Sequence, residues 1–204
     1  EFQQMIEMDP PDHTSFRKLV NRIFTGRRVA AMEDDIRNIF NGYLDQIVER
    51  GEADLVEEVT SPFPMDLISA FLDIPEGDRA QLRSYSDTIL IREDGKMELP
   101  QVAAEGMFAM LQYFIDDLPK RRKNPRNGII DDLLILEVDG RSLTEEELLG
   151  FCILFVIAGH ETTTKMVANA IDLLSRHPDQ KRDLAHNLDL APQAVEEVVR
   201  FHNS

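Results

Sequence analysis

From Thr144 to His177 the chain carries one unbroken helical pattern of more than 30 residues, well beyond an ordinary globular helix. Threonine followed by Glu145, Glu146 and Glu147 reads as its start, because the hydroxyl caps free backbone N–H groups and carboxylates favour the positive end of the helix dipole. A helix of this length crosses a whole domain, so the rest of the chain must be arranged around it. Leu148 to Ala158 is apolar almost all round, which predicts burial on every side. The run then changes abruptly to "GHETTT", residues 159–164. Gly159 costs about 1 kcal/mol relative to alanine, and consecutive β-branched threonines are also poor helix formers. Glycine lets another group approach the backbone, and threonine hydroxyls bond back one turn and bend the helix. Local rules are broken in this way at functional sites. The combination suits a cavity that holds a small ligand against the backbone and delivers protons to it.

The remaining punctuation is mostly helical, so the fold class is mainly α. Phe16, Leu19, Val20 and Ile23 recur at helical spacing after two prolines, and a second helix is predicted over 29–50. Its stripe is Val29, Met32, Ile36, Ile39, Phe40, Leu44, Ile47 and Val48, with Gly51 closing it. A proline-bounded helix follows in 61–75, then helices over 76–91 and 101–118, and a last one through "APQAVEEVVRF". Residues 92–100 read as a polar connection turning at Asp94-Gly95, and "PKRRKNPRNG" as a basic loop. Only short pieces such as "ILEVDG" suggest extended structure.

Composition narrows the function classes. With 204 residues, 43% of them hydrophobic, the chain can bury one sizeable core, and a net charge of −16 disfavours nucleic acid and anionic lipid as partners. The charge is uneven: no carboxylate falls between Asp12 and Glu33, whereas Arg17, Lys18, Arg22, Arg27 and Arg28 all do. That basic island could dock an acidic partner or simply be a solvated face. Nothing at the amino end resembles a secretion signal, and residues 148–158 fall short of the ~20 apolar residues of a membrane span. A cytoplasmic protein without a membrane span is therefore expected. The single cysteine, Cys152, rules out an internal disulfide and a cysteine-rich metal site.

Several chemistries can be tested against spacing. "HETTT" begins like a zinc-protease motif, but residue 164 is threonine where the second histidine is required. Nucleophile-elbow, phosphate-loop and dinucleotide fingerprints are missing. His13 and Arg17 are four apart, hence on one helical face, and both can donate to a carboxylate held there. Glu197 and Arg200 are three apart, an ordinary exposed helix pair taken alone.

In this order and approximate spacing, the three segments resemble cytochrome P450, of the soluble bacterial type. "MDPPDHTSFRKLV" is similar to the family's C helix, "AGHETTT" to its oxygen-binding I-helix motif and "EEVVR" to its K-helix Glu-x-x-Arg. The resemblance implies a partial P450 fold with one long central helix of the I type. Residues 1–204 would be a single-domain fragment, roughly half of a full-length member, without its amino-terminal and haem-thiolate segments. The implied activity is O2- and electron-dependent hydroxylation of an apolar small molecule by a haem-thiolate monooxygenase.

Carried over by position, His13 and Arg17 would hold a propionate of haem b. Ala158 and Gly159 would line the oxygen pocket, the missing side chain of Gly159 admitting dioxygen. Glu161 and Thr162 would form the acid–alcohol pair that delivers protons, while Glu197 and Arg200 would join a structural ion-pair network. Electrons would come ultimately from NAD(P)H through a reductase and a ferredoxin-type partner, docking at Lys18, Arg22, Arg27 and Arg28. No metal ligand is expected in this chain, the axial cysteine lying beyond Ser204. Cys152 is about two turns, ~10 Å, from Gly159 on the distal helix and reads as a packed core residue. Phe71, Ile89, Ile91, Met97 and Leu99 suggest apolar substrate contacts. Two other readings are an inactive protein of the same fold that binds haem or an apolar ligand, and an unrelated helical interaction domain.

Overall fold

A computed structural model describes residues 3–96 and 98–202. Among them ten α-helices follow one another: α1 (Asp12–Ile23), α2 (Gly26–Ala31), α3 (Glu33–Val48), α4 (Pro62–Leu72), α5 (Glu76–Ile89), α6 (Gln101–Lys123), α7 (Ile129–Ile135), α8 (Glu145–Arg176), α9 (Pro178–His186) and α10 (Ala191–Phe201). Among the described residues the only β pairing is an isolated bridge between Val138 and Arg141, at the "ILEVDG" turn.

The long helix is α8. Thr144 caps it by accepting from the Glu147 backbone N–H at 3.2 Å, and the Glu147 carboxylate returns a bond to the Thr144 N–H at 2.9 Å. Helices α4, α5, α6 and α7 pack around its first half. Leu148 to Ile153 and Val156 are buried there, together with Phe16 and Val20 of α1, Leu72 of α4 and Met110, Phe114 and Leu118 of α6. Burial on every side stops short of the expectation: Leu154, Phe155 and Ile157 are half-buried and Ala158 is exposed. Taken over its full length rather than over residues 148–158, α8 is by length and composition long and apolar enough to cross a membrane. Its first half, packed by those four helices, is that of a core helix.

Four details differ from the sequence reading. The helix expected over 29–50 is two helices, because Met32 (φ −95°, ψ 2°) leaves the helical region and Glu33, Asp34 and Asp35 open a fresh amino terminus. None of the predicted stripe is fully buried, and Val29 and Val48 are exposed. The basic "loop" is partly helix: α6 runs through Pro119 to Lys123. Proline costs a helix about 3 kcal/mol in general. Here the turn is held by Arg121, fully buried, whose Nε donates to Asp117 at 2.5 Å and whose other nitrogens reach Asp131 at 2.7 Å and the Asp73 carbonyl at 3.0 Å. Helices α7 and α9 add two elements to those expected from the sequence.

Gly128, the residue before α7, lies against the end of α4. A Cβ there would sit 2.6 Å from both the carbonyl carbon and the oxygen of Leu72. Backbone atoms cannot swing aside as a side-chain tip can, so Gly128→Ala is expected to cost about 1–3 kcal/mol, read as a lower denaturant midpoint at unchanged slope.

Candidate functional site

The unusual stretch of α8 is continuous helix. Thr162 Oγ1 donates to the Ala158 carbonyl at 2.5 Å and Thr164 Oγ1 to the His160 carbonyl at 2.9 Å, so the hydroxyls bond back as their spacing suggests. Ala158 and Thr162, one turn apart, are exposed on the same face. Glu161 is half-buried beside them and pairs with Lys165 at 2.7 Å. A small residue, a hydroxyl and a carboxylate thus meet on one open face of this segment.

Gly159 points elsewhere. A Cβ on it would lie 2.9 Å from Cδ1 and 3.2 Å from Cγ1 of Ile68. Ile68 thus fills the space a side chain at 159 would take, where an opening for dioxygen is expected from the sequence, and the glycine allows close packing of α4 on α8.

His160, given no role by the sequence reading, is the most constrained residue of the motif. It is 3% exposed, with Nε2 3.1 Å from the Ser61 carbonyl and Nδ1 3.2 Å from Ser86 Oγ. A carbonyl can only accept, so Nε2 carries the proton and Nδ1 accepts from the serine. The signal was present: Cys152, Val156 and His160 recur every four residues on the face that turns inward. Burial pushes the imidazole below the usual histidine range; the charge of Asp87, 3.6 Å away on α5, partly opposes this, as do the Ser61 bond and Glu161, while Arg83 adds to it.

For a base with a depressed folded pKa, the unfolded chain binds more protons on acidification. This stabilising contribution is complete above about pH 6.5 and is lost as pH falls through the folded value. Thermal stability should therefore fall from pH 7 to pH 5, and His160→Gln should flatten that part of the curve.

His13, half-buried, and Arg17, exposed, line one hollow of about 520 Å³ on α1 with Lys18 and Arg22. Among the described residues neither has an ion-pair partner. The basic island is less free than its sequence suggests. Lys18 pairs with Asp139, and Arg28 reaches Asp132 at 2.6 Å. Of the four expected docking residues, Arg22 and Arg27 make no such pair among the described residues.

Glu197 and Arg200 do pair, through two bonds of 2.7 Å within α10. Both are exposed, and among the described residues no third charge joins them, so the expected network is only a pair here. They rim an apolar groove of about 480 Å³ between α8, α9 and α10, lined by Met166, Ala170, Leu174, Leu184, Ala194 and Val198. Ala158, Glu161 and Thr162 are not part of it.

Cys152 is fully buried in the core and its thiol is pushed well above the ordinary range by burial. Among the described residues no three acidic, histidine or cysteine side chains converge on a possible metal site. Of the suggested substrate contacts, Ile89 is buried in the core, and Phe71 is half-buried against it, edge-on to Phe155 at 6.2 Å. Ile91 and Leu99 are exposed, and Met97 lies outside the described residues.

Comparison with known proteins gives one answer. The family model for Cytochrome P450 matches residues 3–200. Cytochrome P450 monooxygenase PikC of Streptomyces venezuelae is 37% identical over 97% of this chain and 47% of its own length. Vitamin D(3) 25-hydroxylase of Pseudonocardia autotrophica is 37% identical over 97% of this chain and 48% of its own. The solved structure of Cytochrome P450 CYP109Q5 from Chondromyces apiculatus superposes with a TM-score of 0.85 at 36% identity, over 97% of this chain and 48% of that one. The chain spans about half the length of the curated relatives it matches.

Proposed function

Because the chain belongs to the cytochrome P450 family, we propose that it forms the central half of a haem-thiolate monooxygenase that uses O2 and supplied electrons to hydroxylate an apolar small molecule. The observation carrying this reading is the shared open face of Ala158 and Thr162 with Glu161 beside it, at the end of the stretch of α8 that is seated in the core. His13 and Arg17 fit a haem propionate: two donors line one hollow, with no carboxylate partner among the described residues. Bound haem b would supply the iron at which dioxygen is reduced.

The chain's own residues orient and protonate. Ala158 keeps the open face low enough for a ligand to approach α8. The Thr162 hydroxyl, now donating to the Ala158 carbonyl, can turn its proton outward and be resupplied from the Glu161 carboxyl through water, as general acid–base catalysis requires. Lys165 pairs with that carboxylate at 2.7 Å and holds it beside Thr162. The name of the Pseudonocardia relative supports an apolar substrate. A cytoplasmic location and electrons from NAD(P)H through a reductase and a ferredoxin-type partner belong to the same proposal, with Arg22 and Arg27 as the freer docking charges.

The test is the carbon monoxide difference spectrum of the reduced full-length protein. A red-shifted, thiolate-type band supports the monooxygenase. Haem uptake without that band identifies an inactive binder of the same fold, and no uptake overturns both.

A further inference from the structure

We propose that His160 is a positioning residue that sets the rotation of α8 so that Glu161 and Thr162 face the reacting side; this rests on the oxygen-activation reading of that pair. Two consecutive residues of α8 are seated on two different helices. Gly159 receives Ile68 of α4. His160 donates from Nε2 to the Ser61 carbonyl at the start of α4 and accepts at Nδ1 from Ser86 of α5. A helix turns about 100° per residue, so fixing 159 and 160 against α4 and α5 fixes where 158, 161 and 162 point. Core packing of residues 148–153 and 156 already limits that rotation. Two directional bonds of opposite sense, made by one buried ring to separate elements, specify it. The bonds also tie the motif to α5, the helix that leads into the 92–100 connection, so the placement of α5 is read at the acid–alcohol pair.

Leucine at 160 fills space but leaves the Ser61 carbonyl and the Ser86 hydroxyl without their ring partner. Glutamine places an amide N–H near the Nε2 position and can restore the bond to Ser61. Ser86→Ala removes the other bond and little volume.

The experiment uses the full-length, haem-loaded protein and three readouts: product formed per electron consumed, KM, and amide hydrogen exchange of residues 161–165. Expected for His160→Leu are a loss of product per electron of about threefold to tenfold at nearly unchanged KM, and exchange about tenfold faster in that segment. His160→Gln should recover at least half of the lost coupling, and Ser86→Ala should show a smaller loss of the same kind. Wild-type coupling and exchange in both His160→Leu and Ser86→Ala would overturn the proposal. If His160→Leu fails to fold, unchanged coupling and exchange in both His160→Gln and Ser86→Ala would overturn it equally. If the unsubstituted protein shows no thiolate band, the monooxygenase reading fails, while the exchange comparison still decides whether His160 orders residues 161–165.

Discussion

Replacing Arg121 by alanine is expected to destabilise the protein by about 3–5 kcal/mol, the usual consequence of removing one partner from a buried ion pair. The guanidinium is completely buried and bridges Asp117 on its own helix, Asp131 on α7 and the Asp73 carbonyl at the end of α4. Burial alone would lower its pKa; the bond to Asp117 and the charges of Asp117 and Asp131 outweigh this and raise it. Once Arg121 is gone, Asp117 keeps Arg126 at 3.0 Å, but Asp131 keeps only backbone N–H groups of Arg126 and Gly128. A denaturant titration reads the loss. The control is Arg200→Ala, which removes an exposed pair and should shift the midpoint little. Equal midpoints for the two variants would show that the buried network contributes nothing.

Thr162→Ala is expected to act on turnover and leave stability alone. The hydroxyl sits on an exposed face and bonds only to the carbonyl one turn earlier, which also keeps its intrahelical role. Alanine is the better helix former by several tenths of a kcal/mol, so the melting temperature should hold or rise slightly. Product formed per electron should nevertheless fall about 100-fold, the lower end of what a positioned proton donor contributes. Thr162→Ser, which retains the hydroxyl, should recover most of it. Undiminished coupling in Thr162→Ala would remove Thr162 from the proton path.

What could be read from the sequence was whatever had a local cause. The limits of α8 follow from its cap, its acidic first turn and Pro178, and the inward face of α1 from apolar spacing. The resemblance to P450 stands on three short segments, and the family model extends it to nearly the whole chain. Tertiary causes were not legible. Pro119 and four basic residues looked like a loop because the partners that hold Arg121, at positions 131 and 73, lie in other elements. Gly159 looked like an opening because a missing side chain does not reveal what fills it. His160 stands in the sequence as half of an incomplete metal motif, although its spacing from Val156 places it on the buried face.

The seating of residues 159 and 160 also governs how the chain can tolerate changes of length. Inserting or deleting one residue between Leu148, deep in the core, and Gly159 would leave both ends helical yet rotate everything beyond by about 100°. Ile68 would then meet a side chain instead of a glycine, and the imidazole would leave its two acceptor and donor partners. Thr162 would no longer share the open face with Ala158. Substitutions in this stretch can be graded by size and polarity. A frame-preserving insertion or deletion cannot, because the helix acts as a fixed count between its anchor and its working residues.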